Sequence, residues 1–144
     1  MPAVSAPAFP APLAPATAHP LTEAQSGLWY FQRLDPANPI LNTGQYLELR
    51  GPLDPALFSR AVEAMAAEAG ALALRFAETP DGPLQWVDPG YAPLAETVDL
   101  SAAPDPVAEA LARMRADTDR PLDLHTDRLA RFVLFILGEG HFYW

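Results

Sequence analysis

The sequence predicts an α+β fold in which helices pack on a mostly antiparallel or mixed sheet. Segments with helical start signals are separated by short segments that alternate apolar and polar residues, and one apolar run shows no alternation. These segments follow one another without a repeated unit, which favours helices layered against a sheet. The length of 144 residues is typical of one domain.

The first twenty residues differ in composition from the rest. They contain seven Ala and six Pro, and the first charged residue is Glu23. Alternating Pro and Ala supports neither a helix nor a sheet ladder, because Pro lacks an N–H and restricts the residue before it. Residues 1–20 are therefore predicted to be a disordered tail and residues 21–144 the folded part. The tail lacks the basic start of a secretory signal.

The first helix is predicted from about Glu23 to Leu34. Thr22 and Gln25 have the spacing of a capping box, and Asp35-Pro36 ends the helix. One helical face carries the apolar residues Ala24, Leu28 and Phe31. The alternation of Gln45–Arg50 then predicts a half-buried strand.

The second helix has the clearest signals. Asp54 is placed as its N-cap, Pro55 as its first residue and Gly70 as its stop. Its apolar stripe consists of Phe58, Ala61, Val62, Met65 and Ala69.

A β-hairpin is predicted next, from residues 72–76 and 84–87 around the turn Pro80–Gly82. Residues 97–100 predict a short edge strand. Asp105-Pro106 starts a third helix, whose apolar face carries Val107, Leu111 and Met114.

The apolar run Phe132–Leu137 predicts a strand covered on both faces, followed by a turn at Gly138–Gly140 and a returning strand at His141–Trp144. A buried strand left without its neighbour exposes an open edge. We therefore expect the chain to be a fragment that contains only part of a domain.

Composition excludes several functions. Eighteen acidic residues against nine basic ones give a net charge of −9, which disfavours nucleic acid as a partner. The chain has no cysteine, which fits a reducing, cytoplasmic setting, and no apolar stretch long enough to span a membrane.

Few residues carry an obvious chemistry. His19, His125 and His141 lie far apart and show no metal-ligand spacing, so no metal site is predicted, although acidic neighbours surround His125. No serine lies in a nucleophile elbow, and no glycine loop fits a phosphate. The rings of residues 29–31 are more consistent with core packing than with a pocket. The residues alone reveal no active site.

Residues 21–29 resemble the first core motif of the condensation domains of nonribosomal peptide synthetases, S-x-A-Q-x-R-L-W. Ala24-Gln25 and Leu28-Trp29 match, whereas Thr22 replaces Ser and Gly27 replaces Arg. The form with Gly27 is similar to that of enterobactin-synthase-type enzymes. Gly51–Asp54 is placed like the family's G-x-L-(D) segment.

The second core motif, R-H-E-x-L-R-T-x-F, falls on residues 68–76. Leu72 and Phe76 match, and Arg75 occupies the variable position. The family's polar residues are replaced by Glu68, Ala69, Gly70 and Ala73.

The resemblance implies a chloramphenicol-acetyltransferase-like lobe, with residues 21–144 as part of the N-terminal lobe of a two-lobed domain. It implies amide-bond formation between carrier-bound acyl or aminoacyl thioesters, in a secondary-metabolite pathway of which a siderophore is one candidate product. The catalytic motif His-His-x-x-x-Asp-Gly is expected just after Trp144, so the chain alone is expected to be inactive. The motif or substrate-channel candidates within the chain are Gln25, Trp29, Arg75 and Tyr143.

The implied partners are peptidyl or aryl carrier proteins and a downstream adenylation domain. Phosphopantetheine is expected on the carrier proteins, with no cofactor bound directly. Two alternatives remain open, namely a noncatalytic lobe that binds carrier proteins and an unrelated α+β binding module. Reading the coding sequence past Trp144 would separate the first alternative from a catalytic domain.

Overall fold

The computed structural model describes residues 14–144, and the part of the expected tail at residues 1–13 lies outside the described residues. Three α-helices form, α1 (Glu23–Leu34), α2 (Pro55–Glu68) and α3 (Pro106–Thr118). The strands are β1 (His19–Pro20), β2 (Glu48–Arg50), β3 (Leu74–Thr79), β4 (Gly82–Val87), β5 (Ala95–Asp99), β6 (Phe132–Gly138) and β7 (His141–Tyr143). Short 3₁₀ turns occupy Pro39–Leu41, Gly70–Ala73 and Pro89–Tyr91.

The strands form two sheets. A four-stranded mixed sheet has the order β2-β7-β6-β5, and a three-stranded antiparallel sheet has the order β1-β4-β3. β5 and β6 pair in parallel, and α3 makes the crossover between them. The predicted α+β class with a mixed sheet is confirmed, as is the edge position of β5. None of the helices in residues 14–144 is long and apolar enough to cross a membrane.

Helices cover both faces of the four-stranded sheet. Phe135 and Leu137 of β6 pack in the cluster that contains Ala110 of α3. Leu134 points to the opposite face, because successive strand residues alternate. On that face Thr97, which is paired with Leu134, bonds Ser59 of α2 at 3.2 Å. The expectation that this apolar run is covered on both sides is confirmed.

The first helix has the predicted bounds but a different inner face. The Thr22 hydroxyl accepts from the Gln25 N–H, and the Gln25 side chain accepts from the Thr22 N–H at 2.9 Å, which completes the capping box. Trp29 is the buried residue of this helix, whereas Leu28 and Phe31 are 57% and 48% exposed. The apolar stripe through Leu28 and Phe31 is therefore not the core-facing side.

Several predicted boundaries need correction. Order begins at least two residues before Leu21, because His19 and Pro20 pair with Gln85 and Leu84 of β4. The half-buried strand predicted for Gln45–Arg50 is shorter, at Glu48–Arg50. The hairpin strand begins at Leu74, since residues 70–73 form a 3₁₀ turn.

Gly70 follows the end of α2, as predicted, but it does not act as a left-handed cap. The helix ends at Glu68 with Ala69 as its C-cap, and Gly70 does not adopt a left-handed conformation. The turn between β6 and β7 does use one, because Gly140 has φ +63°. A Cβ on Gly140 would lie 3.4 Å from the Gly51 carbonyl oxygen.

Removing the N-cap of α2 is expected to destabilise the chain moderately. The Asp54 carboxylate accepts from the Ala56 and Leu57 N–H groups at 2.9 and 3.0 Å. Asp54→Ala should lower the free energy of unfolding by about 1 kcal/mol, measured by urea denaturation. Asp81→Ala, in the exposed hairpin turn, is the matched control and should change it little. An equal loss in both variants would contradict the capping role.

Candidate functional site

A groove of about 1490 Å³ lies beside α3. One wall is the segment Leu41–Leu47, and the other is formed by the C-terminal half of α3 and by residues 128–133. Trp144 lies at its edge, where its ring contacts Phe58 and Phe132 at centroid distances of 5.5 and 6.3 Å. The groove therefore joins apolar aromatic surface to a rim of charged side chains.

Arg131 is the best-anchored charge on this rim. Its guanidinium lies 3.1 Å from the Glu96 carboxylate and also pairs with Asp117. Burial by itself would lower the pKa of Arg131, but the two carboxylates outweigh it and raise the pKa above its ordinary value. Arg131 is a permanent cation that ties β5, α3 and β6 together.

A smaller cavity of about 420 Å³ shares residues with the groove. It lies where β5 and β6 begin and where the segment after α3 passes. Its wall contains three of the nine arginines of the chain. The lining residues are Leu94, Ala95, Glu96, Arg120, Arg128, Ala130, Arg131 and Phe132.

Trp29 lies at the centre of a second cluster, under α1. Its ring is 5.5 Å from Phe76 of β3 and 5.4 Å from the imidazole of His125, centroid to centroid. The Trp29 Nε1 and His125 Nδ1 atoms are both buried and have no hydrogen-bond partner among the described residues. The motif tryptophan therefore joins α1 to the hairpin and to the loop that carries His125.

Arg75 reaches the same loop from the hairpin. Its guanidinium donates to the His125 carbonyl at 3.3 Å, and its carbon lies 4.2 Å from the Tyr91 ring centroid. The Asp88 carboxylate is 3.8 Å away. Arg75 thus connects β3 to the turn at Tyr91 and to His125.

The Gln25 side chain has a direct partner in the hairpin. The amides of Gln25 and Gln85 pair through two N–H···O contacts of 2.8 Å. Gln85 also donates to the Pro20 carbonyl at 3.3 Å. Gln25 therefore fixes the start of α1 on β4, beside the pairing of β1.

Local hydrogen bonds brace the loop that carries His125. The Asp123 carboxylate accepts from the His125 N–H at 2.9 Å and from the Thr126 hydroxyl at 3.0 Å. The Tyr91 hydroxyl donates to the Thr126 carbonyl. Among residues 14–144, no three acidic or histidine side chains group as a metal site requires. The acidic neighbours of His125 serve to shape the loop.

Tyr143 lies elsewhere, at the end of β7, with its side chain in the core. It is 8% exposed, packs in the cluster with Leu100 and Phe135, and its ring is 5.0 Å from Tyr46. Glu48 pairs with it across the sheet.

A charged cluster lies on the neighbouring edge of the sheet. The Arg50 guanidinium donates to Glu48 at 2.6 Å and lowers the pKa of the Glu48 carboxyl. Desolvation opposes this change, and His141 adds to the lowering of the pKa. His141 Nε2 lies 2.9 Å from the same carboxylate. These groups form a hydrogen-bonded cluster that lines neither the groove nor the smaller cavity.

The structure brings three of the four motif candidates together. Trp29 and Arg75 meet at His125, and Gln25 lies on the inner face of α1 with Trp29, whereas Tyr143 is separate. None of the four lines the groove or the smaller cavity. The sequence did not single out Tyr91 or Arg128, whose contacts hold this region together. Neither residue has a motif that identifies it.

Comparison with known proteins gives a consistent result. The family model for the condensation domain matches residues 16–144. The chain is 44% identical over 124 residues to a dimodular nonribosomal peptide synthase of Bacillus subtilis (strain 168), covering 86% of this chain and 5% of that protein. It is 34% identical over 127 residues to enterobactin synthase component F of Escherichia coli (strain K12), covering 87% and 10%.

A solved structure agrees with these relatives. A mutant of the starter condensation domain of rhizomide synthetase RzmA, in complex with C8-CoA, superposes with a TM-score of 0.83 at 34% identity. The match covers 90% of this chain and 30% of that one. The chain thus spans a small part of the curated relatives and about a third of a solved condensation domain.

Proposed function

Since the chain belongs to the condensation-domain family, we propose that it supplies part of the N-terminal lobe of a domain that forms amide bonds between carrier-bound thioesters. The chloramphenicol-acetyltransferase-like fold expected from the sequence agrees with the solved condensation domains. The observation that carries the proposal is the superposition of 90% of the chain on one such domain at a TM-score of 0.83.

In the proposed reaction, one carrier protein presents an acyl or aminoacyl thioester on its phosphopantetheine arm. The amine of a second carrier-bound aminoacyl thioester attacks the carbonyl carbon, an amide forms, and the first thiol leaves. A histidine of the His-His-x-x-x-Asp-Gly motif would act as general base. The 144 residues contain no such motif, so the reaction belongs to a polypeptide that also supplies it.

The residues of this chain would help to shape the substrate channel. Holding two tethered substrates in one channel raises their effective concentration, provided that the walls of the channel are rigid. We assign Gln25, Trp29 and Arg75 to this task, because each joins one element of the lobe to another and none lines the groove or the smaller cavity. Tyr143 would hold β7 in place.

The proposed partners are peptidyl or aryl carrier proteins, with phosphopantetheine attached to them, and an adenylation domain of the same polypeptide. A cytoplasmic setting belongs to the same proposal. The 34% identity to enterobactin synthase component F supports a siderophore as one candidate product class.

A segment exchange tests the proposal. Residues 16–144 would replace the aligned segment of the Bacillus subtilis dimodular synthase, whose sequence is 44% identical. We expect the chimera to join the substrates loaded on its carrier domains, with product detected by intact-protein mass spectrometry. The reason is that a lobe of the same family and fold should rebuild the passage between the two carriers.

Two controls make the exchange decisive. A second chimera with the aligned segment of enterobactin synthase component F shows whether the junctions are tolerated. A third, with the host's histidine motif changed to alanine, should give no product. If the first chimera melts cooperatively and binds loaded carriers but yields no amide while the second is active, the noncatalytic alternative is favoured and our proposal is wrong.

A further inference from the structure

Two arginines present unused hydrogen-bond donors to the 420 Å³ cavity. Arg120 donates from Nη1 to the Asp127 carboxylate at 3.1 Å. Arg128 donates from Nη1 to the carbonyls of Gly90 and Ala92. The Nε and Nη2 groups of both side chains make no hydrogen bond to any residue in the range 14–144. A guanidinium carries five N–H donors, so most of their capacity is free.

The charge on Arg128 is also uncompensated within the described chain. Its contacts are two carbonyl oxygens and the face of Tyr91, whose ring centroid lies 5.1 Å from the guanidinium carbon. The one carboxylate on the cavity wall belongs to Glu96, and it lies 3.1 Å from Arg131. A free cation is therefore held in a defined place in a chain whose net charge is −9.

Apart from Glu96 and Arg131, which pair with each other, the rest of the cavity wall is apolar. The arginines are fixed before any ligand arrives, because Tyr91 and Asp127 hold them, so little entropy is lost on binding. The apolar lining residues are Leu94, Ala95, Ala130 and Phe132.

We propose that this cavity binds a phosphate-class oxyanion between Arg120 and Arg128. Guanidinium forks match the geometry of phosphate oxygens, and a tetrahedral dianion can accept from two forks at once. The same chemistry fits free inorganic phosphate and the monoester group of a larger ligand. The inference is independent of the proposed amide-bond formation.

Titration followed by NMR tests this site. Inorganic phosphate, glycerol 3-phosphate and acetate would each be added to the ¹⁵N-labelled chain at low ionic strength, and the arginine Nε–Hε signals recorded. We expect saturable shifts of two arginine signals with phosphate and weaker binding of acetate. Saturation by glycerol 3-phosphate as well would identify a monoester as the ligand, and saturation by phosphate alone would identify the free ion.

Variants locate the site. Arg128→Gln and Arg120→Gln should each weaken phosphate binding by about tenfold or more, the loss expected for a charge-assisted hydrogen bond. Arg60→Gln, exposed on α2 and absent from the cavity wall, should leave the affinity unchanged. Arg120→Gln removes one exposed ion pair and keeps the test valid if Arg128→Gln unfolds. Absence of saturable shifts, equal binding of acetate, or equal affinity in all three variants would overturn the proposal.

Discussion

Replacing Trp29 by alanine is expected to lower the free energy of unfolding by about 3–5 kcal/mol, the range for a buried large aromatic side chain. The Trp29 side chain is 3% exposed and contacts rings from two other segments, Phe76 and His125. Its neighbours on the inner face of α1 are polar, among them Gln25, so the helix itself offers no apolar side chain to refill the space. Urea denaturation followed by circular dichroism measures the change.

The same helix provides matched controls. Leu28 and Phe31 are apolar neighbours of Trp29, but they are 57% and 48% exposed. Leu28→Ala and Phe31→Ala should each change the free energy of unfolding by less than about 1 kcal/mol, as surface substitutions usually do. If either costs as much as Trp29→Ala, the orientation of α1 described above is incorrect.

These variants test the buried face of α1, which the sequence did not predict although it predicted the bounds of the helix. The start depends on Thr22 and Gln25, which lie within one turn and satisfy each other's backbone groups. The buried face depends on what lies beneath the helix. Gln85 and His125 are 60 and 96 residues away from their contacts on α1, and no periodicity in residues 23–34 carries information about them.

In the rest of the fold as well, the sequence predicted features that depend on local contacts and missed those that depend on distant residues. The N-caps Asp54 and Asp105 occur where the sequence placed them, since a cap is a contact within three residues. The parallel pairing of β5 with β6 was not predicted, because residues 95–99 and 132–138 are separated in the chain by α3 and the loop after it. Whether a segment forms a strand depends largely on its local sequence, whereas the strand that it pairs with does not.

The candidate site shows more clearly which residues the sequence could identify and which it could not. The family motif identified Gln25 and Trp29, and the structure gives each a partner in another element. Tyr91 and Arg128 carry equally important contacts, but a tyrosine after Pro-Gly and an arginine in an irregular loop have the composition of ordinary surface residues. Only the arrival of Arg75 and Arg128 against the Tyr91 ring gives them a shared role.

Replacing Leu134 by alanine is the second change with a large expected effect, about 2–5 kcal/mol of unfolding free energy. Leu134 lies in a central strand, is 2% exposed, and faces α2 while its neighbour Phe135 faces α3. A sheet covered by helices on both sides relaxes poorly around a deleted side chain, so most of the cavity should remain. Thermal and urea denaturation of the full chain measure the loss.

Leu94→Ala makes the identical chemical change at a leucine that is 67% exposed and should alter stability by about 0.5 kcal/mol or less. The contrast between the two leucines reports mainly on burial, since the side-chain atoms removed are the same. If Leu134→Ala were as mild as Leu94→Ala, one face of β6 would be open, and α2 would not cover it. A large loss at Leu134 alone places the energetic centre of the lobe at β6, the strand whose unbroken apolar run needs two covered faces.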